Sequence, residues 1–246
     1  MERDVTYGAA FADVYDEWYG ADDELAAAVV FLSQLRPRRV LELGVGTGRL
    51  ALPLARALRD ADHDASVTGV DESPEMLAVL ARKNSAGLVS TIEGDMVDAQ
   101  PAGPFDLVVL SYNTLFNLTH VDKQARCIAT AARRLAPGGR LVVEACVIDD
   151  AAPRHGTTTM RRGDWTLVVD STFDAASGAL ASTTTSTHSD GRVVARPTRI
   201  TYSSPQRIDE MCRDGGLALE SRYASWHMTA FDGDAARHVS VYRNLR

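Results

Sequence analysis

Short apolar runs alternate along this chain with stretches of helical period, and that alternation lays out its elements. Val40-Leu41-Glu42-Leu43 is an apolar run broken by one acid; Gly44-Val45-Gly46-Thr47-Gly48 follows, then a helical segment from Arg49 to Leu58. The pattern predicts strand, tight loop and helix. Ser66 to Asp71 predicts a second strand, and Glu72-Ser73-Pro74-Glu75-Met76-Leu77 opens a helix with Ser73 as cap and Pro74 in its first turn. Leu88 to Glu93 is a third strand. Pro104 to Leu110 is nearly all apolar, as a central parallel strand buried on both faces should be. A helix from about Asp122 to Leu135 and a Pro137-Gly138-Gly139 turn lead into a strand from Leu141 to Val147. Upstream, Asp22 to Leu35 reads as an amphipathic helix closed by Arg36-Pro37. Strands alternating with helices in this way predict an α/β fold around a mostly parallel sheet.

From Asp149 the apolar period drops to about two, in runs rich in Thr and Val: Trp165 to Phe173, Ala179 to Ser189 and Arg192 to Ser203. Asp174-Ala175-Ala176-Ser177-Gly178 and Ser189-Asp190-Gly191-Arg192 lie between them as turns. A three- or four-stranded antiparallel insertion is expected, which would roof a site, pair two copies of the chain, or do both. Ser204 to Cys212 restarts a helix that Gly215-Gly216 ends, and Leu217 to Trp226 and Ala236 to Arg243 read as final strands. The expected division is residues 1–148 as an amino-terminal lid and core, 149–203 as insertion, and 204–246 as completion of the core sheet.

The glycine loop carries the first functional signal. Glycine permits φ > 0 and a close approach to a ligand, and the following helix offers unpaired N–H groups at its start. Such a loop suits a small polar molecule. Its spacing is G-x-G-x-G, whereas the dinucleotide fingerprint G-x-G-x-x-G needs a third glycine where this chain has Arg49. Asp71 stands at the carboxyl end of its strand, where open α/β sheets bind ligands, and its carboxylate can accept both ribose hydroxyls of a nucleoside.

Glu42 to Gly48 resembles the first motif of the class I S-adenosylmethionine (AdoMet) methyltransferases, and Gly94-Asp95-Met96-Val97 resembles their adenine-binding motif. The Ala136-Pro137-Gly138-Gly139-Arg140 turn with its flanking helix and strand is similar to the same pattern. The resemblance implies a seven-stranded, mostly parallel sheet with helices on both faces and an antiparallel β insertion after strand 5. It implies AdoMet as cofactor and S-adenosylhomocysteine as product. Asp95 would take the adenine amino group and Met96 would lie on the ring. Tyr15 or Tyr19, from an aromatic Phe-Ala-x-x-Tyr-Asp stretch similar to that of small-molecule methyltransferases, would meet the cofactor's amino-acid end or the substrate. That stretch also reads as one helix whose Phe11, Tyr15 and Trp18 cover the domain edge. Glu42, Gly44, Gly46, Gly48, Glu72, Met76 and Ser111 complete the expected cofactor set.

Ser111-Tyr112-Asn113-Thr114-Leu115-Phe116-Asn117 reaches the same rim and lacks the Pro-Pro step of the methyltransferases that act on DNA and protein glutamine. Tyr112 and Asn113 are therefore expected at the wall of a small-molecule pocket. Methyl transfer needs alignment and water exclusion more than a catalytic triad. A hydroxyl acceptor benefits from a general base, for which His120 and His227 are the candidates, whereas an amine need only arrive neutral. The expected activity is methyl transfer to an O or N atom of a small organic molecule, in specialised metabolism. The insertion and aromatic start are similar to sugar N-methyltransferases and glycine N-methyltransferase-like enzymes. Two other readings stay open: a nicotinamide oxidoreductase, and a non-catalytic AdoMet-binding protein.

Composition narrows the partners. Of 246 residues, 26 are Lys or Arg and 33 Asp or Glu, a net charge of -7 that works against a nucleic-acid partner. The amino terminus lacks a signal peptide's basic and apolar regions, and no apolar run is long enough for a membrane span, so a cytoplasmic protein is expected. Cys127, Cys146 and Cys212 are odd in number, far apart and set in apolar segments; reduced core thiols are expected, and no metal.

Overall fold

A computed structural model describes residues 7–148 and 154–246. The expected start of the insertion at Asp149 lies outside the described residues. The elements run α1 Tyr7–Phe11, α2 Tyr15–Trp18, α3 Asp23–Gln34, β1 Arg39–Leu43, α4 Ala51–Ala61, β2 Ser66–Asp71, α5 Pro74–Lys83, β3 Val89–Glu93 and β4 Phe105–Leu110. After a short 3-10 turn at Thr114–Asn117 come α6 Val121–Arg134, β5 Leu135–Cys146, β6 His155–Arg162, β7 Trp165–Asp174, β8 Ala179–His188, β9 Val193–Thr201, α7 Pro205–Asp214, β10 Leu217–Tyr223 and β11 Arg237–Asn244.

Seven strands form one sheet in the order β10-β11-β5-β4-β1-β2-β3. The five from β5 to β3 are parallel, and β11 lies antiparallel to both β5 and β10. This is the seven-stranded, mostly parallel sheet that the resemblance implies. The central strand shows why its sequence is apolar throughout. Leu107 and Val109 face α3 and α4, packing with Phe31, Leu32, Leu54 and Leu58. Val108 and Leu110 face the other side, with Ile128 of α6 and Ile208 and Met211 of α7. Each such side chain contributes about 1.5–3 kcal/mol on burial. Ser73 caps α5 by accepting the Met76 amide at 3.2 Å.

Strands β6 to β9 form a separate antiparallel sheet in sequence order. Its register places Gly156, Ser171, Ser182 and Thr198 in one row. Because strand side chains alternate, that row shares a face with Trp165 and Leu167. Those two pack on Phe11 and Trp18, so this face looks toward the amino-terminal segment.

Two expectations are corrected. The aromatic stretch is not one helix: α1 and α2 are separated by a turn. The Ala10 carbonyl, which a continuous helix would offer to the Val14 amide, is taken by the Arg196 guanidinium, and Val14 bonds to Phe11 instead. The first late strand stops at Tyr223, short of Trp226, because Ala224 closes a tight turn with Thr229. Among the described residues, no helix is long and apolar enough to cross a membrane.

Candidate active site

The carboxyl ends of β1, β2, β3 and β4 open into a cavity of about 1590 Å³, with α1, α2 and the four-stranded sheet on its far side. Each strand delivers one expected group. β1 runs into the glycine loop, where Gly44, Gly46 and Gly48 have φ of 70°, 52° and 76°. An added Cβ on Gly44 would lie 2.3 Å from Thr114 Cγ2, and one on Gly48 would lie 2.9 Å from Leu80 Cγ. At Gly46 the nearest such atom is Met76 Sδ at 3.9 Å. At Gly44 and Gly48 internal packing therefore excludes a side chain, and only at Gly46 of the three is the Cβ position uncrowded.

At the end of β2, Asp71 accepts the Gly46 amide on Oδ2 at 2.8 Å and the Ser73 amide on Oδ1 at 2.9 Å. Burial pushes its pKa up, against both hydrogen bonds. Beside it, burial and then the nearby Asp95 raise the Glu72 carboxyl. After β3, Asp95 Oδ1 accepts the Val97 amide at 2.6 Å, and Lys123 Nζ stands 3.7 Å from Oδ2. Met96 and Met76 line the same wall.

After β4, Tyr112 and Asn113 adopt φ of 54° and 65°, successive left-handed residues without glycine. Such a backbone persists only where its surroundings hold it. Glu144 accepts the Tyr112 amide at 3.0 Å, and Asn113 Oδ1 accepts the Cys146 amide at 2.6 Å. The Arg49 guanidinium lies 5.0 Å over the Tyr112 ring, and Tyr19 meets that ring edge-on at 5.5 Å. Arg49 also pairs with Asp22 at 3.2 Å. Burial raises the phenols of Tyr7, Tyr15 and Tyr112, so this cluster stays protonated near neutral pH.

Of the expected residues, Tyr15, Tyr19, Gly44, Gly46, Asp71, Glu72, Met76, Asp95, Met96, Tyr112 and Asn113 line the cavity. Glu42, Gly48 and Ser111 lie behind its wall. Glu42 is 4% exposed; Ser111 approaches Oε1 at 3.4 Å, while Oε2 is buried without a hydrogen-bond partner. Burial drives its pKa up to about 8. The two histidines expected as bases are placed elsewhere. His120 precedes α6 and borders a smaller cleft with Arg199, and His227 faces Glu24 at 3.8 Å on the surface. Sequence reasoning missed Arg49, Glu144 and Lys123, whose roles depend on partners distant in the chain. It also missed Asp16, which accepts from Thr47 of the glycine loop and from Lys83, each at 2.6 Å.

The donor set suits an adenosyl ligand carrying an ammonium group. Gly46 leaves space for close approach, the Asp71 oxygens keep lone pairs for hydroxyls, and Asp95 keeps an acceptor beside Met96. The buried Glu42 Oε2 is an unmet acceptor close behind the loop.

Comparison with known proteins agrees with this geometry. A family model described as a methyltransferase domain matches residues 40–139. The structure of the CcbJ methyltransferase from Streptomyces caelestis superimposes with a TM-score of 0.88 at 32% identity, covering 98% of this chain and 99% of that one. A demethylmenaquinone methyltransferase from Thermus thermophilus is 37% identical over 129 residues, 51% of this chain and 55% of the relative. A cypemycin N-terminal methyltransferase from a Streptomyces species is 36% identical over 142 residues, 56% of each. The chain thus spans about half the length of the curated relatives it matches.

Proposed function

The chain belongs to the class I S-adenosylmethionine-dependent methyltransferases, and on that premise we propose that it methylates a nitrogen or oxygen atom of a small polar acceptor in specialised metabolism. One observation carries the reading: a single cavity runs from Gly46, Asp71 and Asp95, past Tyr112 and Asn113, to the sheet row of Ser171, Ser182 and Thr198. At about 1590 Å³ it exceeds the ~300–1,000 Å³ usual for one small ligand, leaving room for a cofactor and an acceptor together.

AdoMet, when bound, supplies an activated methyl group on a positively charged sulfur. Asp71 would hold the ribose hydroxyls, Asp95 and Met96 the adenine, and Gly46 the close approach of the chain. Tyr15, Tyr19 and Tyr112 would exclude water from the transfer and fix the line of approach, which can supply a large part of the rate. Phenol oxygens also suit the positive charge as it passes to the acceptor.

The site favours nitrogen. The tyrosines are held protonated by burial, and neither histidine expected as a base borders the cavity; His155 of the exposed β6 does, its Nδ1 3.0 Å from Thr172 Oγ1, and would be the histidine left to serve an alcohol acceptor as a base. An amine that arrives neutral needs none. The relative named for N-terminal methylation supports the same reading. The test is incubation of purified protein with isotopically labelled AdoMet and matched panels of small amines and alcohols, followed by mass spectrometry. Label on amines is the expected result; label confined to alcohols would overturn the nitrogen preference.

A further inference from the structure

Three tyrosines of the amino-terminal segment border the cavity, yet the segment consists of helices of five and four residues. Helices so short do not hold in water alone, so its position must come from its contacts. On one side it meets the core. Asp16 accepts from Thr47 and Lys83, and Gly8 lies so close to α5 that a Cβ there would fall 2.5 Å from Ser73 Cβ.

On the other side the contacts converge on Arg196 of β9, which is 4% exposed. Its Nε donates to the Ala10 carbonyl at 2.8 Å, and its two terminal nitrogens donate to Ser186 Oγ at 2.6 Å and Asp13 Oδ2 at 2.9 Å. Its guanidinium also lies 5.2 Å from the Trp18 ring centre and 5.9 Å from that of Phe11. A buried cation is costly unless its donors are met. Here two of the three hydrogen bonds and both rings belong to or bind the segment, so the arginine is satisfied only while the segment is docked. Arg196 itself does not border the cavity.

We infer that Arg196 is a positioning residue for the cofactor site, acting through residues 7–19 to hold Tyr15 and Tyr19 over the glycine loop and against Tyr112. The four-stranded sheet is then a strut for the cofactor as well as a roof for the acceptor. The inference rests on reading this cavity as the AdoMet site.

The test uses S-adenosylhomocysteine and the full-length protein. Affinity is read by calorimetry and release by stopped-flow tryptophan fluorescence, to which Trp18 contributes. Arg196→Met should weaken binding about tenfold, the size of one lost hydrogen bond to a charged group, chiefly through faster release. Arg196→Lys, which keeps the charge but not the planar fork, should fall between. Asp13→Asn, at a side chain 65% exposed, removes one partner without threatening the fold and should cost about threefold. In a Tyr15→Leu/Tyr19→Leu background, Arg196→Met should add little, because its path to the ligand is gone. Wild type that binds S-adenosylhomocysteine, with Asp13→Asn and folded Arg196→Met both within about twofold of it, would overturn the inference alone. Additive losses in the double-leucine background would overturn it too. Failure of wild type to bind would overturn the cofactor reading and this inference with it.

Discussion

The Asp71 carboxylate accepts the Gly46 amide at 2.8 Å, so the acid at the end of β2 and the loop glycine whose Cβ position is uncrowded form a single unit. Its other oxygen, held by Ser73, ties the same unit to the start of α5. The acid is thus preorganised before any ligand arrives. Asp71→Asn should lower S-adenosylhomocysteine affinity by about ten- to a hundredfold, the range for hydrogen bonds to a charged group. Calorimetry on the two proteins checks this; equal affinities would remove Asp71 from the site.

The glycines separate by cause. Gly44→Ala would drive a methyl into Thr114 Cγ2 on top of an unfavourable φ of 70°, so it should destabilise the fold by several kcal/mol. Gly46→Ala carries only the backbone cost of about 1–2 kcal/mol, and should fold while losing ligand affinity. Urea denaturation and S-adenosylhomocysteine titration read the two effects separately. Adding Thr114→Ser should restore part of the stability to Gly44→Ala and none to Gly46→Ala.

Glu42 makes the ligand-free protein sensitive to alkali. Burial lifts its pKa from 4.5 to about 8. Between those values the folded state keeps a proton that the unfolded chain releases, so stability falls as pH rises. Glu42→Gln should flatten that slope, since an amide has no proton to lose. Urea midpoints at about pH 5 and about pH 8 measure it, and equal slopes in both proteins would show that Glu42 does not titrate this way.

Asn113 has two structural duties beside the cavity, a left-handed backbone and the 2.6 Å hydrogen bond from the Cys146 amide. Asn113→Ala loses both and should cost about 2–3 kcal/mol; Asn113→Gly keeps the backbone freedom and should cost about 1 kcal/mol. Thermal unfolding ranks them. The reverse order would mean that backbone strain at this position is unimportant.

The parallel core was legible because its strands are buried on both faces, as at Leu107 to Leu110, and because the glycine loop and the acids that end β2 and follow β3 recur at strand ends. β6 carries no strand signal in the sequence. Nearly every residue in His155–Arg162 is exposed, so no apolar alternation marks it. The break in the aromatic stretch was hidden for another reason. It depends on Arg196, separated by 183 positions from its partner Asp13, and a buried arginine in a polar strand looks like any solvated one. His120 and His227 lie close in sequence to the expected rim segments, yet the chain turns both away from the cavity. Glu144 was unreadable as a support for Tyr112 because strand register, not spacing, brings them together.

The most direct test of the whole account is thermal unfolding of the protein with AdoMet, S-adenosylhomocysteine, NADH and NADPH in parallel. Ligand at about a hundredfold its dissociation constant adds roughly 2.7 kcal/mol and should raise the midpoint by several degrees. That rise is expected with the two adenosyl-sulfur ligands, and it should nearly vanish at the same concentrations in Asp71→Asn. A rise with the nicotinamides alone would contradict the account.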